Sequence, residues 1–333
     1  MLGPMKRLLG IALAFSALLA LPALASAAPA KDGGAAAKPP QAQGPPDATV
    51  KITHIGKLSG GKARIFSVVP AVGTVKPFAA GQRVEVSFYL NGKRVQRKQV
   101  KVGKGKGGQG VFRAKIRIRK AGKYAVSAKH KATAALGGDG TVRKSWKVSF
   151  PALRQGKCGD VVIGFKKAMR KMGYVANSGR CFGGKTARGV LAYRKVNGMT
   201  RSMRAGKGLV KRVFAGRGGY RVRHPGAGRH VEAPLGKQVL VFAKGKKPYA
   251  IYPTSSGTTA TPTVTGHYTF HRTEPGYNNL GMYYSWYFHG GYAIHGYKSV
   301  PNYPASHGCL RTFIADQPEI YNRIKYGEDI FVF

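Results

Sequence analysis

The hydrophobic period of this chain changes twice. Between residues 49 and 150 apolar and polar side chains alternate, as in Arg83-Val84-Glu85-Val86-Ser87-Phe88-Tyr89-Leu90 and Val111-Phe112-Arg113-Ala114-Lys115-Ile116-Arg117-Ile118. A period of two marks half-buried strands. From 152 to 204 the spacing becomes helical: Val162, Phe165, Met169 and Met172 lie on one face before Gly173, and Thr186, Val190 and Tyr193 on another before Gly198. From 229 to 333 short strands return, expected over 238–243, 249–252, 267–271, 283–288, 292–295 and 329–333, with one helix over 317–324. One hydrophobic layer cannot satisfy both periods, so a chain of 333 residues patterned this way is multidomain and mostly β.

The segments between these blocks are of other kinds. Met5-Lys6-Arg7, an apolar run over 8–24 and Ala25-Ser26-Ala27 read as a secretory signal peptide over 1–27. Residues 28–48, rich in Ala, Pro, Gly and Lys, read as a disordered linker, and the Gly- and Arg-rich residues 205–228 as a connector. An extracytoplasmic address, cell wall or periplasm, follows from the leader.

Charge is distributed just as unevenly. Residues 1–228 hold 47 Lys and Arg against 5 Asp and Glu, whereas residues 229–333 hold 10 against 6. The front of the protein should attract polyanions over long range. For an exported chain these are the anionic polymers of a bacterial envelope and not nucleic acid. Of the three cysteines, Cys158 and Cys181 flank the first helical run, and a disulfide between them is expected outside the cell.

The remaining cysteine, Cys309, sits in Pro304-Ala305-Ser306-His307-Gly308-Cys309-Leu310-Arg311, downstream of Ala293-Ile294-His295-Gly296-Tyr297. A thiol attacks as thiolate and needs a base or a positive field nearby. His295, His307 and Arg311 supply both, and the loop after His295 is long enough to return the thiol to the imidazole. Gly308 allows close backbone approach, and amides around 307–309 are candidates to hold an oxyanion. Zinc ligation by His289, His295, His307 and Cys309 is a rival reading, although the spacing matches no zinc motif. A noncatalytic wall-binding protein is another. An NlpC-type cysteine peptidase fits less well, because that family places its cysteine before its histidine.

These residues resemble the L,D-transpeptidase (YkuD) catalytic domain, over about 229–333. The resemblance rests on His295-Gly296, Ser306-His307-Gly308-Cys309-Leu310-Arg311, the upstream Thr261-Pro262-Thr263-Val264-Thr265-Gly266-His267-Tyr268 and His289-Gly290-Gly291. It implies Cys309 as nucleophile and His295 as general base, oriented by a backbone carbonyl, so that Gly296 suffices where some members carry Ser. It further implies that His307 and Gly308 line an oxyanion site and that Arg311 orders the site or meets a substrate carboxylate. An ordinary ion pair of Arg311 with Asp316 is the plainer alternative. The implied substrate is a peptidoglycan stem peptide, and the chemistry needs no cofactor and no metal. Residues 49–150 resemble a bacterial immunoglobulin-like β-sandwich. Residues 152–204 resemble the small three-helix peptidoglycan-binding domain, with Arg180-Cys181 standing where Asp-Gly is usual.

Overall fold

The computed structural model describes residues 44–333 except Val142. The signal-peptide reading and most of the linker reading lie outside the described residues. The linker's last residues differ from expectation: Gly137 N–H donates to Pro46 O at 2.9 Å, and Ala48 is buried. Among the described residues no helix is long and apolar enough to cross a membrane.

The front region is two sheets closed on one core. Strands β1 (Thr49–Ile55), β2 (Lys62–Arg64), β3 (Val68–Lys76), β4 (Arg83–Leu90), β5 (Lys93–Lys101), β6 (Gly103–Lys104), β7 (Gly110–Arg117), β8 (Gly122–His130), β9 (Asp139–Gly140) and β10 (Lys144–Ser149) follow in sequence. They pair in the orders β1-β3-β7-β6 and β2-β10-β8-β4-β5, with β9 on β8. The period-two pattern explains the packing: Val84, Val86 and Phe88 turn inward to meet Val69, Phe112 and Ile116 of the opposite sheet. Their alternates on β7, Arg113, Lys115 and Arg117, point to water.

Three helices follow: α1 (Asp160–Lys171), α2 (Gly184–Val196) and α3 (Lys207–Phe214). The third corrects the connector reading of 205–228. Its Leu209, Val210 and Val213 are buried at i, i+1 and i+4, too short a run to stand out against the glycines and arginines around it. The helical core does not end at its own boundary. It continues into Val239, Val241 and Ile251 of the following sheet, so the helices and that sheet share one apolar layer.

Cys158 and Cys181 form a disulfide across a separation of 23 residues. The buried Lys166 ammonium donates to the carbonyls of Ser178, Gly179 and Cys181 at 3.0, 2.6 and 2.9 Å, which holds the same loop from below. The double substitution C158S/C181S is expected to cost about 3 kcal/mol through the entropy restored to the unfolded chain. Urea unfolding with an unchanged midpoint would contradict this.

The last region has strands β11 (Arg229–Ala233), β12 (Val239–Lys244), β13 (Lys247–Pro253), β14 (Gly266–Thr269), β15 (Arg272–Tyr277), β16 (Tyr283–His289), β17 (Tyr292–Tyr297), β18 (Leu310–Phe313) and β19 (Asp329–Val332), with helix α4 (Gln317–Arg323). One sheet runs β13-β12-β11-β19-β14 and the other β15-β16-β17-β18. Phe242, Tyr252, Phe270, Trp286, Phe288, Ile294 and Leu310 belong to one core that draws on both sheets. Three of these strands, β11, β15 and β18, had no bounds from the pattern. β11 is buried along most of its length and β15 is mostly exposed, so neither alternates clearly, and β18 has only four residues.

Candidate active site

The site is built on the pair β17 and β18. They run parallel, with Ile294 opposite Leu310 and His295 opposite Arg311. Side chains alternate along a strand. Ile294, Leu310 and Thr312 therefore enter the core, while His295, Tyr297 and Arg311 share the other face, with Cys309 just before the strand begins. The thiol and imidazole open on one cavity because two adjacent strands carry them in this register. A cavity of about 370 Å³ collects them, lined by His295, Tyr297, His307, Cys309, Arg311 and the exposed Leu280 among others.

His295 is buried, and its Nδ1 lies 3.0 Å from Gly296 O. A carbonyl only accepts, so Nδ1 carries the proton and Nε2 keeps its lone pair. Burial pulls the His295 pKa down to about 4; the Gly296 carbonyl opposes this and the Arg311 charge adds to it. The imidazole is thus neutral at physiological pH. Burial pushes the Cys309 thiol up, partly offset by the backbone at Ala293 and by Arg311. The thiol points its hydrogen toward Gly291 O at 3.6 Å. Both shifts favour the uncharged forms of the thiol and the imidazole.

The cysteine turn is pinned from several sides. Ser306 Oγ donates to Cys309 O at 2.5 Å and accepts from Gly308 N–H at 3.1 Å. Thr263 Oγ1 donates to Gly308 O at 2.6 Å and accepts from Gly257 N–H at 2.9 Å. Thr261 Oγ1 donates to Ser306 O at 3.0 Å. The threonine-rich segment thus acts as a brace for the turn. Gly308 has φ of 116°, and a Cβ there would lie 2.5 Å from the Tyr292 ring, so only glycine fits.

Arg311 differs from the plainer expectation, because Asp316 pairs with Arg188 of α2 instead. The Arg311 guanidinium donates to Ala305 O at 2.9 Å and lies 4.2 Å over the Tyr297 ring. Among the described residues it has no ion-pair partner, which leaves its charge directed at the cavity. His307 is exposed at the rim. His289 is exposed too, its ring 4.8 Å from that of Tyr268. Among the described residues no group of three or more His, Cys, Asp or Glu is arranged to hold a metal ion. The motif reading included Thr263 within the threonine-proline segment but missed Tyr292, Thr312 and Gln317, which lie outside the motifs.

A cysteine just before one strand and a buried histidine on its parallel neighbour thus line one cavity. Residues 228–332 match YkuD, the L,D-transpeptidase catalytic domain, and form such a domain in this chain. An L,D-transpeptidase from Xylanimonas cellulosilytica (residues 123–326 of that protein) is similar over 55% of this chain and 98% of its own, at 26% identity and a TM-score of 0.50. One from Stackebrandtia nassauensis matches over 54% and 94%, at 18% identity and a TM-score of 0.33. One from Mycobacterium smegmatis matches over 86% and 99%, at 11% and 0.29. The comparison with curated proteins finds no match.

Proposed function

We propose that the protein is an exported cysteine L,D-transpeptidase that cross-links peptidoglycan stems. The observation that carries this is the juxtaposition, in one cavity, of Cys309 with a buried neutral His295 whose Nδ1–H is held by Gly296 O. In the first half-reaction His295 Nε2 takes the thiol proton as Sγ attacks the carbonyl of the third stem residue of a tetrapeptide. The oxyanion is held by backbone amides; since Gly308 N–H is engaged by Ser306, those of His307 and Cys309 are the candidates. The C–N bond breaks, His295 returns its proton to the departing D-alanine amine, and a thioester remains. In the second half an amine of a neighbouring stem loses a proton to His295, attacks the thioester and releases the thiol. The new bond joins two third-position residues, and water in place of the amine gives carboxypeptidation. Arg311, free of a carboxylate, is placed to meet one on the substrate.

Incubation with a disaccharide tetrapeptide, read by liquid chromatography and mass spectrometry, tests this. Released D-alanine with a dimer or a tripeptide product is expected, and neither from C309A. An unchanged substrate with folded wild-type protein would overturn the reading.

The front of the chain supports a second part of the proposal. Residues 49–150 hold 24 Lys and Arg against Glu85 and Asp139. We assign this immunoglobulin-like region, with the peptidoglycan-binding-like helices, to retention at the wall through anionic envelope polymers. Surface charge is screened within about 10 Å at 0.1 M salt. Full-length protein should therefore sediment with purified sacculi at low salt and be released at high salt; sedimentation indifferent to salt would remove this role.

A further inference from the structure

The catalytic histidine is held by one carbonyl, and that carbonyl belongs to a residue with no side chain to anchor it. What fixes Gly296 lies behind the sheet. A Cβ on Gly296 would lie 3.0 Å from Gln317 Cβ and 3.2 Å from its Cγ, so the Gln317 side chain rests directly against the Gly296 Cα. Gln317 is fully buried at the start of α4. Its Nε2 donates to Tyr284 O at 2.6 Å, and its Oε1 is in close hydrogen bond with the Thr312 hydroxyl. Thr312, also buried, sits 3.2 Å from His295 O.

The place of this cluster is informative. The β16–β17 ladder is interrupted between Tyr283 and Trp286, and Tyr284 has φ of 51°, an uncommon value for a side-chain-bearing residue. The bulge takes Tyr284 O out of the regular ladder, and the Gln317 amide satisfies it. One side chain therefore ties β16 through Tyr284, β17 through Gly296, and β18 through Thr312. The Gly296 peptide is fixed at both ends: its preceding carbonyl faces Thr312 and its Cα abuts Gln317. Its own carbonyl is then presented to His295 Nδ1.

We infer that Thr312 and Gln317 are positioning residues for His295, acting through the Gly296 peptide. This rests on His295 serving as the base for Cys309. A displacement of about 1 Å in such a group can cost a hundredfold in rate. Neither residue lines the cavity, so neither is placed to touch substrate.

The test reads thiol activation without any wall substrate. Cys309 is the free cysteine of the described residues, so alkylation of the intact full-length protein by iodoacetamide at pH 7 reports on it. T312V, T312S and Q317M are each compared in the wild-type and H295A backgrounds. Expected are losses of at least about tenfold in T312V and Q317M, and restoration in T312S to within about twofold of wild type. In the H295A background the same substitutions should change nothing further, since coupled residues are non-additive. A merely structural role would lower the rate equally in both backgrounds, and that result overturns the proposal, as does an undiminished T312V. Should Q317M fail to fold, the T312V and T312S pair decides. An H295A protein that reacts as fast as wild type overturns the base assignment, and the proposal with it; a slowed H295A beside a normal T312V overturns the proposal alone.

Discussion

H295A is expected to slow acylation of Cys309 by about 100- to 10,000-fold, the usual range for a positioned general base, and C309A to abolish it. Intact mass spectrometry with a carbapenem reads both: a one-drug adduct that forms on wild type, forms slowly on H295A and is absent from C309A. The size of the effect follows from the resting state. Burial raises the Cys309 pKa, so the thiol keeps its proton at neutral pH and must lose it during attack. Burial lowers the His295 pKa to about 4, so the base stays unprotonated well below the ordinary imidazole value. Acylation should therefore persist as pH falls through about 6.5 and fail only as it nears the His295 value. A rate that halves near the ordinary value would mean a solvated imidazole and would contradict the buried geometry. The same shift acts on stability. Between about 6.5 and the depressed folded value the unfolded chain binds a proton that the folded chain refuses, so stability declines as pH drops through that window.

R188M is the second large effect, and it falls on stability. Arg188 of α2 reaches Asp316 with two parallel bonds, Nε to Oδ2 at 2.5 Å and Nη2 to Oδ1 at 2.6 Å. The two side chains are only 14% and 2% exposed. Removing the guanidinium strands a carboxylate away from water, which typically costs about 3–5 kcal/mol. The pair itself is worth less than that, because both charges were desolvated to form it. R188M/D316L should accordingly recover much of the loss. A fall of less than about 1 kcal/mol in R188M, measured by urea unfolding, would show the pair to behave as a solvated surface bridge. The pair also ties the helices to the residue preceding Gln317. Lys185 to Glu319 and Lys195 Nζ to Thr254 O at 2.7 Å extend the same stripe of α2. Residues 184–196 are therefore docked on the catalytic region by three basic side chains.

Much of this protein is legible in its sequence. The alternation over 49–150 and the helical spacing of Val162, Phe165 and Met169 report burial directly, because each side chain's partition between water and core is set locally by the period. The placing of His295 and Cys309 on one cavity was legible for a similar reason: 13 residues lie between them, and a strand, a loop and a second strand bring them together. Ser306 was legible as part of the motif, but its partners Cys309 O and Gly308 N–H were not. The third helix was not visible, since its eight residues hold too few apolar positions to establish a period.

What only the tertiary structure decided are the contacts whose partners lie far apart in the chain. Asp316 stands five residues from Arg311 but pairs with Arg188, 128 residues away. Proximity in sequence offered the wrong partner, and packing of α2 against the sheet supplied the right one. Gln317 looks like any polar residue opening a helix, and Thr312 like any strand threonine. Their meaning comes from a β-bulge at Tyr284 and a bare Gly296, which meet only when three strands and a helix converge. Local chemistry marked the nucleophile and base of the proposed reaction; the packing of the sheet on α4 decided which side chains stand behind Gly296.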